Sequence, residues 1–124
     1  PPRTAEKTAT NQNEVDMRYA LIDDLRVPGD PDNKKAIPVD AVVARNYADG
    51  LRLLQQEHWD VLYLDHDLAD FSGPNGREMT GYDVLCFLEE FPEHLPGEII
   101  IVSDNASGLP RMRMVIAKLF GRQF

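Results

Sequence analysis

The chain has 124 residues, of which 43% are hydrophobic, and it carries a net charge of −8. This length and hydrophobic content predict one domain with its own core, and no apolar run approaches the roughly 20 residues that a membrane span needs. Residues 111–124 contain four basic residues and no acid, so the first 110 residues carry a net charge of −12. Binding to a nucleic-acid backbone needs a basic surface, so we expect no extended nucleic-acid-binding surface.

Residues 1–16 are polar and show neither an apolar period nor the apolar core of a signal peptide. We therefore predict a disordered N-terminal arm, and we assign the folded domain to residues 17–124. The missing signal pattern also predicts a cytoplasmic protein.

The first predicted strand, 17–22, ends at the acidic pair Asp23 and Asp24. Residues 25–40 follow, with three prolines, a glycine and several charges but no apolar period. This composition predicts a long loop, at the point where a doubly wound fold usually places its first crossover helix.

The middle of the chain contains two further predicted strands. Residues 41–45 predict the second strand, and apolar residues at helical spacing over 47–57 predict an amphipathic helix. The third strand, 61–64, is apolar throughout and leads directly into the run Asp65-His66-Asp67.

The last third of the chain repeats the alternation of helix and strand. A turn-rich loop over 70–80 precedes a predicted helix at 82–91, a strand at 98–102 and a final helix at 109–120. Alternating strands and helices predict an α/β fold with a parallel sheet. We expect a shortened, doubly wound, flavodoxin-like sheet of about four strands with helices on both faces.

Polar clusters follow three of these strands, at the sheet edge where open α/β folds bind ligands. Asp23, Asp24, Asp65 and Asp67 would repel one another there unless a cation or shared protons offset the repulsion. Mg²⁺ and Mn²⁺ prefer such oxygen ligands and keep waters that a phosphate can displace. The alternative is that these residues only form turns and caps at the strand ends.

Three further polar residues belong to the same predicted edge. His66 could act as a general acid or base, bind a metal, or pack so that it orients its neighbours. Ser103 and Asn105 follow the last strand, where a hydroxyl and an amide could bind phosphate oxygens or could form an ordinary turn.

This arrangement resembles a response-regulator receiver domain. The resemblance places the metal-binding acids at Asp23-Asp24, the phosphoacceptor carboxylate at Asp65 and the hydroxyl at Ser103. In receivers the acceptor becomes an aspartyl phosphate, which is covalent catalysis through a carboxylate. The chain departs from receivers because no fifth strand with a following lysine is predicted, and Lys118 lies within the final helix.

A closer resemblance is to the receiver-like family described as cyclic-phosphate-processing receiver domains. It extends over most of residues 17–119 and rests on these runs: Asp23-Asp24-Leu25-Arg26-Val27-Pro28, Leu64-Asp65-His66-Asp67-Leu68, Gly81-Tyr82-Asp83, and Ser103-Asp104-Asn105 with Gly108 and Met112. The resemblance implies the processing of cyclic phosphate ends of nucleotides or RNA. The family tends to place a histidine where this chain has Val102.

We therefore predict a metal-dependent phosphoesterase that acts on a cyclic phosphate or on a phosphate-bearing nucleotide or RNA end. Its cofactor would be a divalent metal, Mg²⁺ or Mn²⁺. The predicted roles are metal binding by Asp23, Asp24, Asp65 and Asp67, catalysis by Asp65 and His66, and phosphate binding by Ser103 and Asn105.

Two other functions stay open at this point. Val102 and the missing lysine suggest a non-catalytic receiver-like domain that binds a protein partner. A phosphoacceptor switch at Asp65 is the third hypothesis, and the missing lysine argues against it. No membrane partner is expected.

Overall fold

The computed structural model describes residues 16–121, so nearly all of the predicted N-terminal arm lies outside the described residues. Four strands form one parallel sheet in the order β2-β1-β3-β4: β1 Tyr19–Ile22, β2 Val42–Ala44, β3 Val61–Leu64 and β4 Glu98–Ile101. Three α-helices accompany them: α1 Tyr47–Gln56, α2 Gly81–Glu90 and α3 Leu109–Leu119. The predicted four-stranded, receiver-like α/β fold is confirmed. Within the described residues, no helix combines the length and the apolar character needed to cross a membrane.

All three helices pack on the same face of the sheet. Because alternate residues of a strand point to opposite faces, each strand contributes to two separate apolar clusters. The helix-covered cluster includes Ala20, Ile22, Leu62, Leu64, Leu54, Leu88 and Met112. The other cluster contains Leu21, Ile37, Ala41, Val61, Tyr63 and Val102, and none of these comes from a helix.

The expectation of helices on both faces was therefore wrong. The reason lies in residues 25–41, here called the β1–β2 loop, whose three prolines and missing apolar period prevent a crossover helix. This loop instead lays Ile37 and Ala41 over the second face of the sheet, where both are buried.

Side-chain hydrogen bonds fix the β1–β2 loop to the sheet. The Lys35 ammonium donates to the Ile101 carbonyl at 2.7 Å, and the Arg45 guanidinium donates to the Arg26 carbonyl, also at 2.7 Å. With Ile37 only 3% exposed, the loop has apolar and polar anchors to the sheet. These anchors determine where the side chain of Arg26 lies.

The start of α2 packs directly against the backbone that follows β3. Thr80 and Asp83 form a capping box, and the Gly81 N–H donates to the His66 carbonyl at 2.8 Å. A Cβ atom at position 81 would overlap the Asp65 carbonyl oxygen, so glycine is needed for this approach. The cap of α2 thereby holds Asp65 and His66 at the sheet edge.

Candidate metal and phosphate site

Three carboxylates meet where β1 and β3 end. Ile22 and Leu64 are paired in the parallel register, and the Asp65 N–H donates to the Ile22 carbonyl at 3.0 Å. One carboxylate oxygen from each of Asp23, Asp24 and Asp65 lies within 4.8 Å of the others. We call these residues the acidic trio, and they could bind a metal ion, as in receiver domains.

Two of the three carboxyl groups in the acidic trio are buried, where water cannot stabilise their negative charge. Asp23 is fully buried, and Asp65 is 5% exposed. Burial and the nearby charge of Asp23 raise the pKa of Asp65 to about 6, although Arg26, the His66 N–H and Ser103 act in the opposite direction. Carboxylate oxygens are the donors that Mg²⁺ and Mn²⁺ prefer, so a hard divalent cation fits both the charge and the donor set.

Arg26 supplies a fixed cation to the acidic trio. Its Nη1 atom lies 2.8 Å from Asp23 Oδ2 and 3.5 Å from Asp65 Oδ2, and its Nη2 atom lies 3.1 Å from Asp104 Oδ2. No role was predicted for Arg26, because the cation of a receiver domain is expected on a lysine after a fifth strand. The available signal was an arginine three residues after Asp23, in a loop that returns to the sheet.

Asp67 does not belong to the acidic trio. Its Oδ1 atom lies 2.8 Å from His66 Nδ1 and accepts from Asn105 Nδ2 at 3.1 Å. The hydrogen bond with His66 is the main reason why the pKa of Asp67 lies below its ordinary value. Asp67, which was also predicted to bind the metal, lines the acidic cavity and is bonded to the imidazole.

The two predicted phosphate-binding residues lie in different places: Ser103 lies beside the acidic trio, and Asn105 lies beside His66 and Asp67. The Ser103 hydroxyl is hydrogen-bonded to Asp65, and this bond partly offsets the rise in the pKa of that carboxyl. The Asn105 Nδ2 atom lies 3.2 Å from His66 Nδ1, and its Oδ1 atom accepts from the Gly108 N–H at 3.0 Å. Because the Asn105 amide also donates to both carboxylate oxygens of Asp67, it fixes the carboxylate that orients His66.

Two cavities adjoin at the loop after β3. The acidic cavity has a volume of about 630 Å³, and its lining includes Asp24, Arg26, Asp65 and Asp67. A smaller cavity of about 200 Å³ is lined by His66, Tyr82, Asn105, Ser107, Gly108 and Arg111, and we call it the His66 pocket. The imidazole therefore lies in a separate cavity from the trio, and Asp67 connects the two.

Gly108 makes room for the imidazole ring. A Cβ atom at position 108 would lie 2.6 Å from His66 Cδ2 and 2.7 Å from Nε2, although the backbone there is helical and suits alanine. We expect Gly108→Ala to remain folded, to displace the ring and to change the ring ¹⁵N signals of His66 in an NMR spectrum. The signals of His58 and His94 serve as internal controls. Unchanged His66 signals would contradict this placement.

Val102 is part of the apolar packing on the second face of the sheet. Its side chain is 7% exposed and packs in the cluster on the second face of the sheet, with Ile37 of the β1–β2 loop. Valine at this position therefore completes the packing beneath the loop.

A family model described as "Cyclic-phosphate processing Receiver domain" matches residues 18–118. The match includes all four strands, the acidic trio, Arg26 and the His66 pocket. No curated protein and no solved structure matches the chain.

Proposed function

The chain belongs to the cyclic-phosphate processing receiver domain family, and we propose that it is a metal-dependent phosphoesterase acting on a cyclic phosphate. The observation that carries this proposal is the meeting of three carboxylates and one guanidinium at the ends of β1 and β3. Such a site offers a place for a divalent cation directly beside a group that binds phosphate oxygens.

Asp23, Asp24 and Asp65 would hold Mg²⁺ or Mn²⁺, which when bound would polarise the phosphoryl group and activate water. Arg26 has five N–H donors, and those not used on the carboxylates would bind non-bridging phosphate oxygens. The Ser103 hydroxyl would position a further phosphate oxygen.

His66 would move the proton. With Nδ1–H directed to Asp67, the neutral ring presents Nε2 as an acceptor, and the protonated ring presents it as a donor. In the hydrolysis, a bond forms between the water oxygen and phosphorus while one ribose oxygen leaves phosphorus. If the ribose lies where the two cavities adjoin, the Nε2 atom would take the proton that water loses and give it to that ribose oxygen, which yields a phosphomonoester.

The test is hydrolysis of 2′,3′-cyclic mononucleotides with Mg²⁺ or Mn²⁺, together with calorimetric titration of each metal. We expect turnover that needs the metal, and we expect Asp24→Asn to weaken metal binding at least about tenfold because it removes a carboxylate ligand. Asp40→Asn, at an exposed position of the β1–β2 loop, is the matched control and should behave like the wild type. Absence of turnover, or turnover insensitive to Asp24→Asn, would refute the proposal.

A non-catalytic domain that binds a protein partner is the second candidate. Large apolar side chains line the acidic cavity and remain open to solvent, with Leu25 78% and Phe71 64% exposed. Exposed apolar groups beside a cavity are typical of contact surfaces. Calorimetry that detects no binding of Mg²⁺, Mn²⁺ or Ca²⁺ near neutral pH would favour this function over catalysis.

A phosphoacceptor switch at Asp65 is the third candidate. Arg26 lies 3.5 Å from this carboxylate, and in such a switch it would supply the cation that a receiver lysine provides. Incubation with a small phosphodonor followed by mass spectrometry tests this function. It requires one stable phosphoryl group that is lost in Asp65→Asn.

A further inference from the structure

The His66 pocket differs in charge from the acidic cavity beside it. Its lining consists of an imidazole, a guanidinium, an amide, two hydroxyl groups and a glycine, and it contains no carboxylate. The acidic cavity, in contrast, is lined by five acidic side chains and a single arginine. An anionic group in the His66 pocket therefore meets less repulsion than it would in the acidic cavity.

Arg111 is held in position by an aromatic ring. Its guanidinium carbon lies 4.1 Å from the ring centroid of Tyr82, a stacked cation–π contact. Helix α3 contains Arg111, Arg113 and Lys118 and no acid, and among the described residues no carboxylate forms a salt bridge with Arg111. Stacking orients the guanidinium without using its N–H groups, which stay available to an anion.

Each of the two cavities contains one guanidinium group, and a bonded pair of side chains joins the cavities. Arg26 lines the acidic cavity, Arg111 lines the His66 pocket, and Asp67 of the acidic cavity is bonded to His66 of the pocket. A ligand with one phosphate group would use only one of the two guanidinium groups. At about 200 Å³, the His66 pocket is smaller than the cavities that hold whole drug-sized ligands.

We propose that the His66 pocket binds, through Arg111, the phosphodiester that precedes the terminal phosphate of an RNA strand. The preferred ligand would then be a strand end and not a free mononucleotide. This inference rests on the proposed function for the chemistry of the terminal group. The proposed contact involves only one phosphate besides the terminal one, so it does not need an extended basic surface, which this acidic chain lacks.

The experiment compares two product-like probes that need no turnover, a short oligoribonucleotide with a 3′-phosphate and a nucleoside 3′-monophosphate. Affinities are measured with Mg²⁺ present over a range of salt concentrations. We expect the wild type to bind the oligoribonucleotide about tenfold more tightly, because one added charge-assisted contact contributes that much. Arg111→Gln should remove this difference, leave the mononucleotide affinity unchanged and lower the salt slope by about 0.7.

Lys118→Gln is the matched control. This lysine lies on the same helix, pairs with Glu89 at 3.2 Å and lines neither the acidic cavity nor the His66 pocket, so its loss should leave both affinities near the wild-type values. The inference is overturned if the oligoribonucleotide binds no better than the mononucleotide, or if Arg111→Gln weakens both probes equally. Arg111-dependent binding without any hydrolysis would instead overturn the phosphoesterase proposal and support the strand-end site.

Discussion

Replacing Asp65 by Asn is expected to raise the free energy of unfolding of the metal-free protein by up to about 3 kcal/mol near pH 8. The pKa of this buried carboxyl is raised to about 6 from an ordinary value of 3.8. Each pKa unit corresponds to about 1.4 kcal/mol, so the charged form opposes folding at neutral pH. Asparagine removes the charge and keeps the oxygen that accepts from the His66 N–H.

The sign of this effect depends on pH. The folded protein binds the Asp65 proton more tightly than the unfolded chain does, so the stabilisation is complete below pH 4 and is lost as the pH rises through 6. The gain from Asp65→Asn should therefore vanish near pH 4. Denaturant unfolding in the presence of a chelator, at both pH values, measures it.

Asp67→Asn is the matched control with the opposite sign. The pKa of Asp67 is lowered, so its charge favours folding, and its loss should weaken the protein at neutral pH. The difference in stability between Asp67→Asn and the wild type should disappear as the pH falls through the lowered pKa of Asp67. A pH-independent gain in Asp65→Asn, or a loss at pH 8, would contradict the account of the acidic trio.

Replacing Arg26 by Met is expected to lower the free energy of unfolding by about 3 kcal/mol, at the low end for a broken buried pair. Asp23 is fully buried and would lose its guanidinium partner, although it would keep the backbone N–H groups of Leu25 and Arg26. Hydrolysis should fall about a hundredfold, because a preorganised donor to the phosphate is lost. Thermal unfolding and cyclic-nucleotide turnover measure the two effects.

Added Mg²⁺ should restore more stability to Arg26→Met than it adds to the wild type. The variant has the same three carboxylates and one cation fewer, so the ion offsets more repulsion. Arg52→Met is the control, since Arg52 pairs with Asp49 on the exposed surface and should cost less than about 1 kcal/mol. If Arg26→Met costs no more than this control, Arg26 is not the cation of the site.

The sheet and the acidic trio could be predicted because they depend on local patterns. Apolar runs with polar residues at their ends marked β1, β3 and β4, and parallel strands bring such ends together. The orientations of His66 and Asp67 could not be predicted in this way. Strand β3 ends at Leu64, so the two-residue alternation stops before these side chains, and the cap of α2 sets the backbone there.

The role of Arg26 and the packing of the helices depend on contacts far apart in the sequence. The guanidinium of Arg26 reaches Asp104, 78 residues away, and no local pattern encodes that pairing. The prolines of the β1–β2 loop did predict that it lacks a helix. They gave no indication that Ile37 would take the place of that helix on the second face.

The β1–β2 loop also constrains how this protein can evolve. Surface loops usually accept insertions and substitutions freely, because few buried groups depend on them. Here one segment both closes the core, through Ile37, and carries Arg26 into the site. A change in its length would expose sheet surface and misplace the cation in the same step. Selection on folding and selection on chemistry therefore act on the same residues, and this loop should diverge more slowly than its irregular backbone suggests.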